Sequence, residues 1–253
     1  MKYDNIINSC KYLLHNFPEC EPHLFYLKNR LNDDSINFFN FGYFPNSDKI
    51  DLLITLSNNN LKDINLSYTK DIDDYKNHNI VNFSFFENHP LILPYKDTYG
   101  NIIAIVGRTI LSESERKLLK IPKYKNTEFK KGNYLFGLFE GKKDIIDNDF
   151  VYIVEGQFDV IKAHEKGIKN IVALGNSNMT LYQFSIIKRY TNNLYLLLDN
   201  DEAGEKGRDK INSIFDLISI GLIIISFSSM ATLVPKSLTR GFVIFKLPLA
   251  YIK

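Results

Sequence analysis

Phe150-Val151-Tyr152-Ile153-Val154-Glu155-Gly156-Gln157-Phe158-Asp159 is answered, roughly forty residues later, by Leu194-Tyr195-Leu196-Leu197-Leu198-Asp199-Asn200-Asp201-Glu202-Ala203-Gly204. Each half is an unbroken apolar run that ends abruptly in acid and glycine. Such a run, bounded by turn residues, is a strand covered on both faces, the habit of a parallel sheet. Helices are expected between and after the strands. One runs from about Asp159 to Lys166, stopped by Gly167 in a left-handed conformation. A short strand, Ile171 to Leu174, and a loop, Gly175 to Asn178, come next. Thr180 and Gln183 then have capping-box spacing and open a helix to about Tyr190. A last helix is expected from near Glu202 through Ile211, Ile214 and Phe215.

Strand and helix alternating in this way keep the strands parallel through right-handed crossovers, which brings their C-terminal ends to one edge. Ligands of open α/β sheets bind at that edge. Glu155, Asp199 and Asp201 are therefore expected to converge there from two distant segments. Acidic groups with no basic residue inside either motif repel one another unless a cation joins them. All-oxygen donors favour Mg²⁺ or Mn²⁺, ions that keep waters and hold phosphates. The plain alternative for an Asp after a strand is a helix cap. Two linked acidic motifs in one frame, each with a glycine that permits close backbone approach, argue for the ion.

Glu155-Gly156-x-x-Asp159 followed by Asp199-x-Asp201-x-Ala203-Gly204 resembles the TOPRIM fold of bacterial-type primases, type IA and type II topoisomerases and some nucleases. The resemblance implies that Glu155, Asp199 and Asp201 carry the chemistry. It also implies a metal set of Glu155, Asp159, Asp199 and Asp201, with Asp159 supporting.

Upstream, Leu91 to Tyr95 and Ile102 to Val106 flank a Gly-containing turn and are expected to form a β-hairpin. Gly107-Arg108 follows, then Pro122-Lys123-Tyr124-Lys125-Asn126 and Phe129-Lys130-Lys131-Gly132-Asn133-Tyr134-Leu135-Phe136-Gly137. Lysines interleaved with Tyr124 and Phe129 offer phosphate contacts and stacking faces, although a lysine cluster alone is usually just a soluble surface. In order and spacing this block is similar to the second recognisable part of bacterial-type, DnaG-like primases, which topoisomerases and TOPRIM nucleases lack. The resemblance implies nucleic-acid or nucleotide contacts by Arg108, Lys123, Tyr124, Asn126 and Lys131. Tyr26-Leu27-x-x-Arg30-Leu31 through Ile36, Phe39, Gly42-Tyr43 and Pro45 is similar to the start of the same core, as a structural element.

The N-terminal residues read as helical segments broken at Pro18 and Pro22, then a short helix capped by Asp33 or Asp34 and stopped by Gly42 and Pro45. Residues 46–88 are polar and Asn-rich, with a helix around Asp48 to Leu56. Asp71, Asp73 and Asp74 are a solvated loop, since no apolar strand positions them. After Asp216, the last acidic residue, a strand is expected at Leu222 to Phe227. Family members supply a further acidic pair there that this chain lacks, so one metal position is expected to lose ligands.

With 253 residues and 45% hydrophobic content, the chain suits two lobes with packed cores. The net charge of +2 makes any basic surface local. Two cysteines, Cys10 and Cys20, without a Cys-x-x-Cys pair fit a reducing compartment and no zinc site. The uncharged stretch Leu217 to Pro235 approaches a membrane span in length, but its serines favour a soluble helix, turn and strand. A cytoplasmic protein with no membrane partner is expected.

The expected fold is α/β: an α+β N-terminal lobe over 1–145, a TOPRIM domain with a central parallel sheet flanked by helices over 146–230, and a divergent tail over 231–253. The resemblance implies a DNA primase catalytic core, a nucleotidyltransferase that makes short RNA primers on single-stranded DNA from ribonucleoside triphosphates. Replicative helicase, or a zinc-domain partner in trans, would supply what the chain lacks. The alternatives are a TOPRIM nuclease, or a catalytically impaired remnant that binds single strands.

Overall fold

The computed structural model describes residues 3–45, 83–176, 178–198 and 243–246. Packing divides the chain into two compact units, residues 1–96 with 100–129 and residues 97–99 with 130–253. The expected boundary at 145 thus falls inside the second unit. The reason is that residues 130–148 pack on its sheet: Phe136 bridges Ala173, and Leu135, Leu138 and Ile145 join its core.

The first unit opens with helices α1 (Asp4–Asn16), α2 (Glu21–Lys28) and α3 (Asp33–Phe38). Pro18 starts a single 3₁₀ turn and Pro22 lies in the first turn of α2, where its missing N–H costs nothing. The break expected at Pro18 is thus present, α1 having ended at Asn16, whereas Pro22 breaks nothing. Asn32, rather than Asp33 or Asp34, caps α3: its side chain accepts from Ser35 N at 2.8 Å, and both aspartates fall in the first turn. Gly42 does not stop that helix but begins strand β1 (Gly42–Tyr43). A methyl group at Gly42 would lie 2.7 Å from Cys10 Cβ, so glycine lets the strand cross α1 closely.

Strand β1 pairs antiparallel with β2 (Leu91–Lys96), β2 with β3 (Ile102–Arg108), and β3 with β4 (Tyr124–Asn126). The expected hairpin is β2–β3, in register from Leu91↔Arg108 to Tyr95↔Ala104. Helix α4 (Glu113–Leu119) connects β3 to β4. Its capping box, Ser112 with Glu115, was legible in Ser-x-x-Glu but absent from the sequence expectations above. The expected helix around Asp48 to Leu56 and the Asp71-x-Asp73-Asp74 loop lie outside the described residues.

In the second unit, α5 (Leu138–Asn148) leads into β5 (Val151–Val154), then α6 (Gln157–Glu165), β6 (Ile171–Ala173), α7 (Leu181–Ile187) and β7 (Asn193–Leu197). The order is β6-β5-β7-β8, with β6, β5 and β7 parallel as expected. Strand β8 (Val243–Lys246) pairs antiparallel with β7, so the C-terminal segment contributes an edge strand. Val151, Ile153, Val172, Leu194 and Leu196 meet Ile145, Phe184 and Ile187 in the core. On the alternate positions Phe150, Tyr152 and Tyr195 form a half-buried aromatic row with ring centroids 5.1–5.5 Å apart.

Turn chemistry fixes the connections. Helix α6 begins two residues earlier than expected, at Gln157, while Gly167 takes the left-handed conformation foreseen for it, φ +80°. The capping box of Thr180 and Gln183 is present, and α7 ends at Ile187, short of Tyr190. Asp149 closes α5 in a left-handed conformation at φ 55°, unusual for a residue with a side chain. Three hydrogen bonds hold it: Thr191 Oγ1 and Asn193 Nδ2 donate to its carboxylate at 3.0 Å each, and Asn193 Nδ2 donates to its carbonyl at 2.7 Å.

Among the described residues no helix is long and apolar enough to cross a membrane. Leu217 to Pro235, the helix expected from Glu202 and the strand expected at Leu222 to Phe227 lie outside them.

Candidate functional site

The second unit brings Glu155, Asp159 and Lys131 to the C-terminal edge of its parallel strands. Glu155 is the residue after β5 and is half-buried. Its carbonyl accepts from Gly175 N at 3.0 Å, which ties it to the turn after β6. Gly175 can make that turn because it adopts φ +78°. Its own carbonyl faces Lys131 Nζ at 3.4 Å, and the lysine stem lies so close that a methyl group on Gly175 would be 2.9 Å from Lys131 Cδ. A cation and an acidic residue from distant segments thus flank one glycine. Burial pushes the Lys131 ammonium below its usual pKa.

Lys131 is held by a second set of contacts. It begins a 3₁₀ turn, Lys131–Asn133, clamped by the start of α7. Thr180 Oγ1 donates to Gly132 O at 2.5 Å, and Gln183 Nε2 donates to Tyr134 O at 2.8 Å and to Leu174 O at 3.3 Å. Gln183 is completely buried, so these bonds form in a medium where an unmatched amide is costly. The Thr-x-x-Gln spacing identified a helix start; that its members reach back about fifty residues to the lysine turn was not legible locally.

Asp159 lies in the first turn of α6, where the helix dipole favours a carboxylate. Its Oδ2 reaches back over Gly156: a methyl group there would be 2.7 Å from that oxygen. Glycine at 156 therefore leaves the space the carboxylate occupies. Glu155 and Asp159 are hard oxygen donors and fit Mg²⁺ or Mn²⁺ in kind. Asp199 and Asp201, expected to complete the set, lie outside the described residues, as does the separation of Glu155 from Asp199. Strand β7 runs parallel to β5 with Leu197 opposite Val154 and ends two residues before Asp199. Among the described residues no three His, Cys, Asp or Glu side chains cluster by themselves.

The first unit gathers Arg108 at the end of β3, Tyr124 and Asn126 on β4, and Lys123 just before β4. Arg108 ends β3 opposite Tyr124. It is only 6% exposed, and its guanidinium is enclosed by two tyrosines. Nε and Nη2 donate to the Tyr26 hydroxyl at 3.0 and 2.6 Å, and Nη1 donates to the Tyr124 hydroxyl. The sequence marked Tyr26 as structural only; its hydroxyl accepts two hydrogen bonds from Arg108. One signal was available, because Arg30, just past the end of α2, lies four positions after Tyr26 and stacks 4.6 Å over its ring. Lys123, exposed, lies 5.7 Å from the Tyr124 ring centroid. Three cations thus border two tyrosines.

Asn126 pairs with Val106, and its buried Oδ1 has no hydrogen-bond partner among the described residues. Lys125 differs from its neighbours: its ammonium sits 4.2 Å over the Phe85 ring, and burial lowers its pKa. His89 Nε2 donates to Pro122 O at 2.7 Å and anchors the start of this segment. Its imidazole is held below the usual pKa mainly by burial, opposed by the Pro122 bond and aided by Lys125.

Two family matches follow one another along the chain. Residues 11–142 match the family described as DNA primase catalytic core, N-terminal domain, and residues 152–231 match the Toprim-like family. A DNA primase of Aquifex aeolicus is 33% identical over 182 residues, 72% of this chain and 35% of that protein. A DNA primase of Clostridium acetobutylicum is 38% identical over 115 residues, 46% of this chain and 19% of that one. The chain therefore spans about a third or less of the length of these relatives. The crystal structure of the Aquifex aeolicus primase zinc-binding and RNA polymerase domains superposes with a TM-score of 0.62 at 27% identity, covering 86% of this chain and 53% of that one. A DNA primase domain from Pseudomonas aeruginosa shares the fold, with a TM-score of 0.62 at 24% identity over 83% of this chain and 65% of the other.

Proposed function

Since this chain belongs to the DNA primase catalytic-core family, we propose that it is a nucleotidyltransferase that makes short RNA primers on single-stranded DNA from ribonucleoside triphosphates. The observation that carries the reading is the strand edge of the second unit, where the Glu155 main chain and the Lys131 ammonium both bond to Gly175. An acid that binds a cation beside a lysine that binds phosphate is what a polyphosphate substrate requires.

Glu155, Asp159, Asp199 and Asp201 are the residues that would hold Mg²⁺ or Mn²⁺, which when bound supplies charge neutralisation to the triphosphate and acidifies the primer 3′ hydroxyl. Lys131 offsets negative charge on the transferring phosphoryl group, and its clamped turn keeps the ammonium in place before substrate arrives. Glu155 is within the chemistry either as ligand or as acid and base. Lys123 and Arg108 neutralise backbone phosphates of template or nucleotide, Tyr124 supplies a stacking face, and Asn126 is a further polar contact of the same surface. Replicative helicase, or a zinc-bearing partner in trans, would supply start-site choice, and the reaction belongs in the cytoplasm.

The test is ribonucleotide incorporation on a single-stranded template with Mg²⁺ or Mn²⁺, comparing wild type with Asp199→Ala and Glu155→Gln. Primer synthesis by wild type that falls by about 10²-fold or more in the variants supports the reading. Incorporation that survives both substitutions, or cleavage of the template instead of synthesis, overturns it.

A further inference from the structure

We propose that Thr180 is a positioning residue for nucleotide binding, acting through Lys131 on the polyphosphate of the incoming ribonucleotide; this rests on the function proposed above. As the N-cap of α7, Thr180 needs only an acceptor, and its Oγ1 fills that role by accepting from Gln183 N at 3.1 Å. Capping makes no use of the hydroxyl hydrogen or of the methyl group. Both are aimed at Gly132, the residue after Lys131. The hydrogen goes to Gly132 O at 2.5 Å. Thr180 Cγ2 lies 2.7 Å from where a methyl group on Gly132 would stand, so glycine there lets the threonine settle on the turn. Asparagine or aspartate would cap the helix as well. Threonine caps it, donates to the turn and packs on it.

What these contacts fix is the place of one ammonium. Lys131 Nζ is 3.4 Å from Gly175 O, near the long limit of a hydrogen bond, so that contact alone holds the charge weakly. The backbone of the Lys131–Asn133 turn sets its position instead. Gln183 ties the far side of the same turn to the end of β6, through Tyr134 O and Leu174 O. Thr180 and Gln183 bond to each other as well, so the two act as one clamp. Gly175, against which the lysine stem rests, also donates to Glu155 O. The ammonium is thereby held at the strand edge that Glu155 occupies. An anion that suits both a lysine and a cation-binding acid is a polyphosphate with its metal ion, whereas a template phosphodiester needs the lysine alone. Thr180 sets where Lys131 meets that polyphosphate without needing to touch it.

The experiment titrates ATP, AMP and single-stranded DNA separately into the full chain with Mg²⁺, for wild type, Thr180→Val, Thr180→Ser, Lys131→Gln and the Thr180→Val, Lys131→Gln double variant. Valine matches threonine in shape and removes the hydroxyl; serine keeps it. The expected result for Thr180→Val is an ATP affinity about tenfold lower, the size of one charge-assisted contact, with AMP and DNA affinities unchanged. Thr180→Ser should stay within about twofold of wild type for ATP. Adding Thr180→Val to Lys131→Gln is expected to cost nothing further. A merely structural role would lower ATP, AMP and DNA binding together. Wild-type ATP affinity in Thr180→Val, equal losses for ATP and AMP or for ATP and DNA, or additive losses in the double variant would overturn the proposal. Should Thr180→Val not fold, Lys131→Gln decides: a loss confined to ATP supports the proposal, and undiminished ATP affinity overturns it, because Thr180 would have no charge to place. Wild type that binds ATP no more tightly than AMP would instead count against the parent reading.

Discussion

Gln183→Leu isolates the clamp on the lysine turn. The side chain makes three hydrogen bonds: Oε1 accepts from Thr180 N at 3.0 Å, and Nε2 donates to Tyr134 O at 2.8 Å and Leu174 O at 3.3 Å. Leucine is close in volume, so the cavity contribution is small and the loss is mostly of polar pairing. At about 1–1.5 kcal/mol for each partner left unmatched near a buried site, the total is roughly 3–4 kcal/mol. That is a large fraction of the stability of an ordinary domain, about 5–15 kcal/mol. In urea, with a slope of about 2–3 kcal/mol per molar, the midpoint for the second unit should fall by about 1–2 M. With no tryptophan in the chain, far-UV circular dichroism is the suitable probe. The same substitution frees the turn that holds Lys131. Its ammonium should then hydrate and its pKa rise back toward the ordinary lysine value, measurable by NMR of ¹³C-methylated lysines. A midpoint shift below about 0.3 M, together with an unmoved Lys131 signal, would refute the reasoning: the amide would then be spectator rather than clamp.

Three further outcomes are expected. Gly107→Ala would set a methyl group 2.3 Å from Phe86 Cδ1 and 2.7 Å from His89 O, a ring and a backbone atom that cannot both yield. It should cost about 3 kcal/mol or more in thermal or urea unfolding and weaken DNA binding through the adjacent Arg108. His15, His23, His89 and His164 are all held below the usual histidine pKa, with burial the largest cause in each. The unfolded chain then binds more protons, so stability is intact above about pH 6.5 and declines as the pH drops below it. Melting temperatures from pH 8 to 5 should show that decline, and His89→Gln should flatten part of it. Cys10 and Cys20 are fully buried; burial pushes the Cys20 thiol up to about 12 and the Cys10 thiol well above its usual value, the latter also raised by Cys20. Thiol reagents at pH 8 should label neither until denaturant is added, and prompt labelling of the folded chain would contradict the packing.

The parallel sheet was readable because its cause is local: an apolar run covered on both faces, then acid and glycine, reports burial and strand end within ten residues. The places of Glu155, just after β5, and Asp159, in the first turn of α6, follow for the same reason from strand end and helix start. The β2–β3 hairpin and the capping box at Thr180 were equally local. Pro22 misled because a proline in the first turn of a helix looks, in sequence, like a proline that ends one; only the actual start of α2 separates the two. The unit boundary shifted because residues 130–148 carry no period that says which sheet they will cover.

What the sequence determined by itself was the parallel strands β5, β6 and β7, the helices between them and the β2–β3 hairpin, since these depend on neighbours a few positions apart. Which groups face one another was decided by tertiary structure. Tyr26 reaches Arg108 across eighty-two positions, and Gln183 reaches the Lys131 turn across forty-nine. The physical reason is that hydrogen-bond partners of buried polar groups are chosen by packing, after the chain has closed its loops, and no short-range pattern encodes that choice.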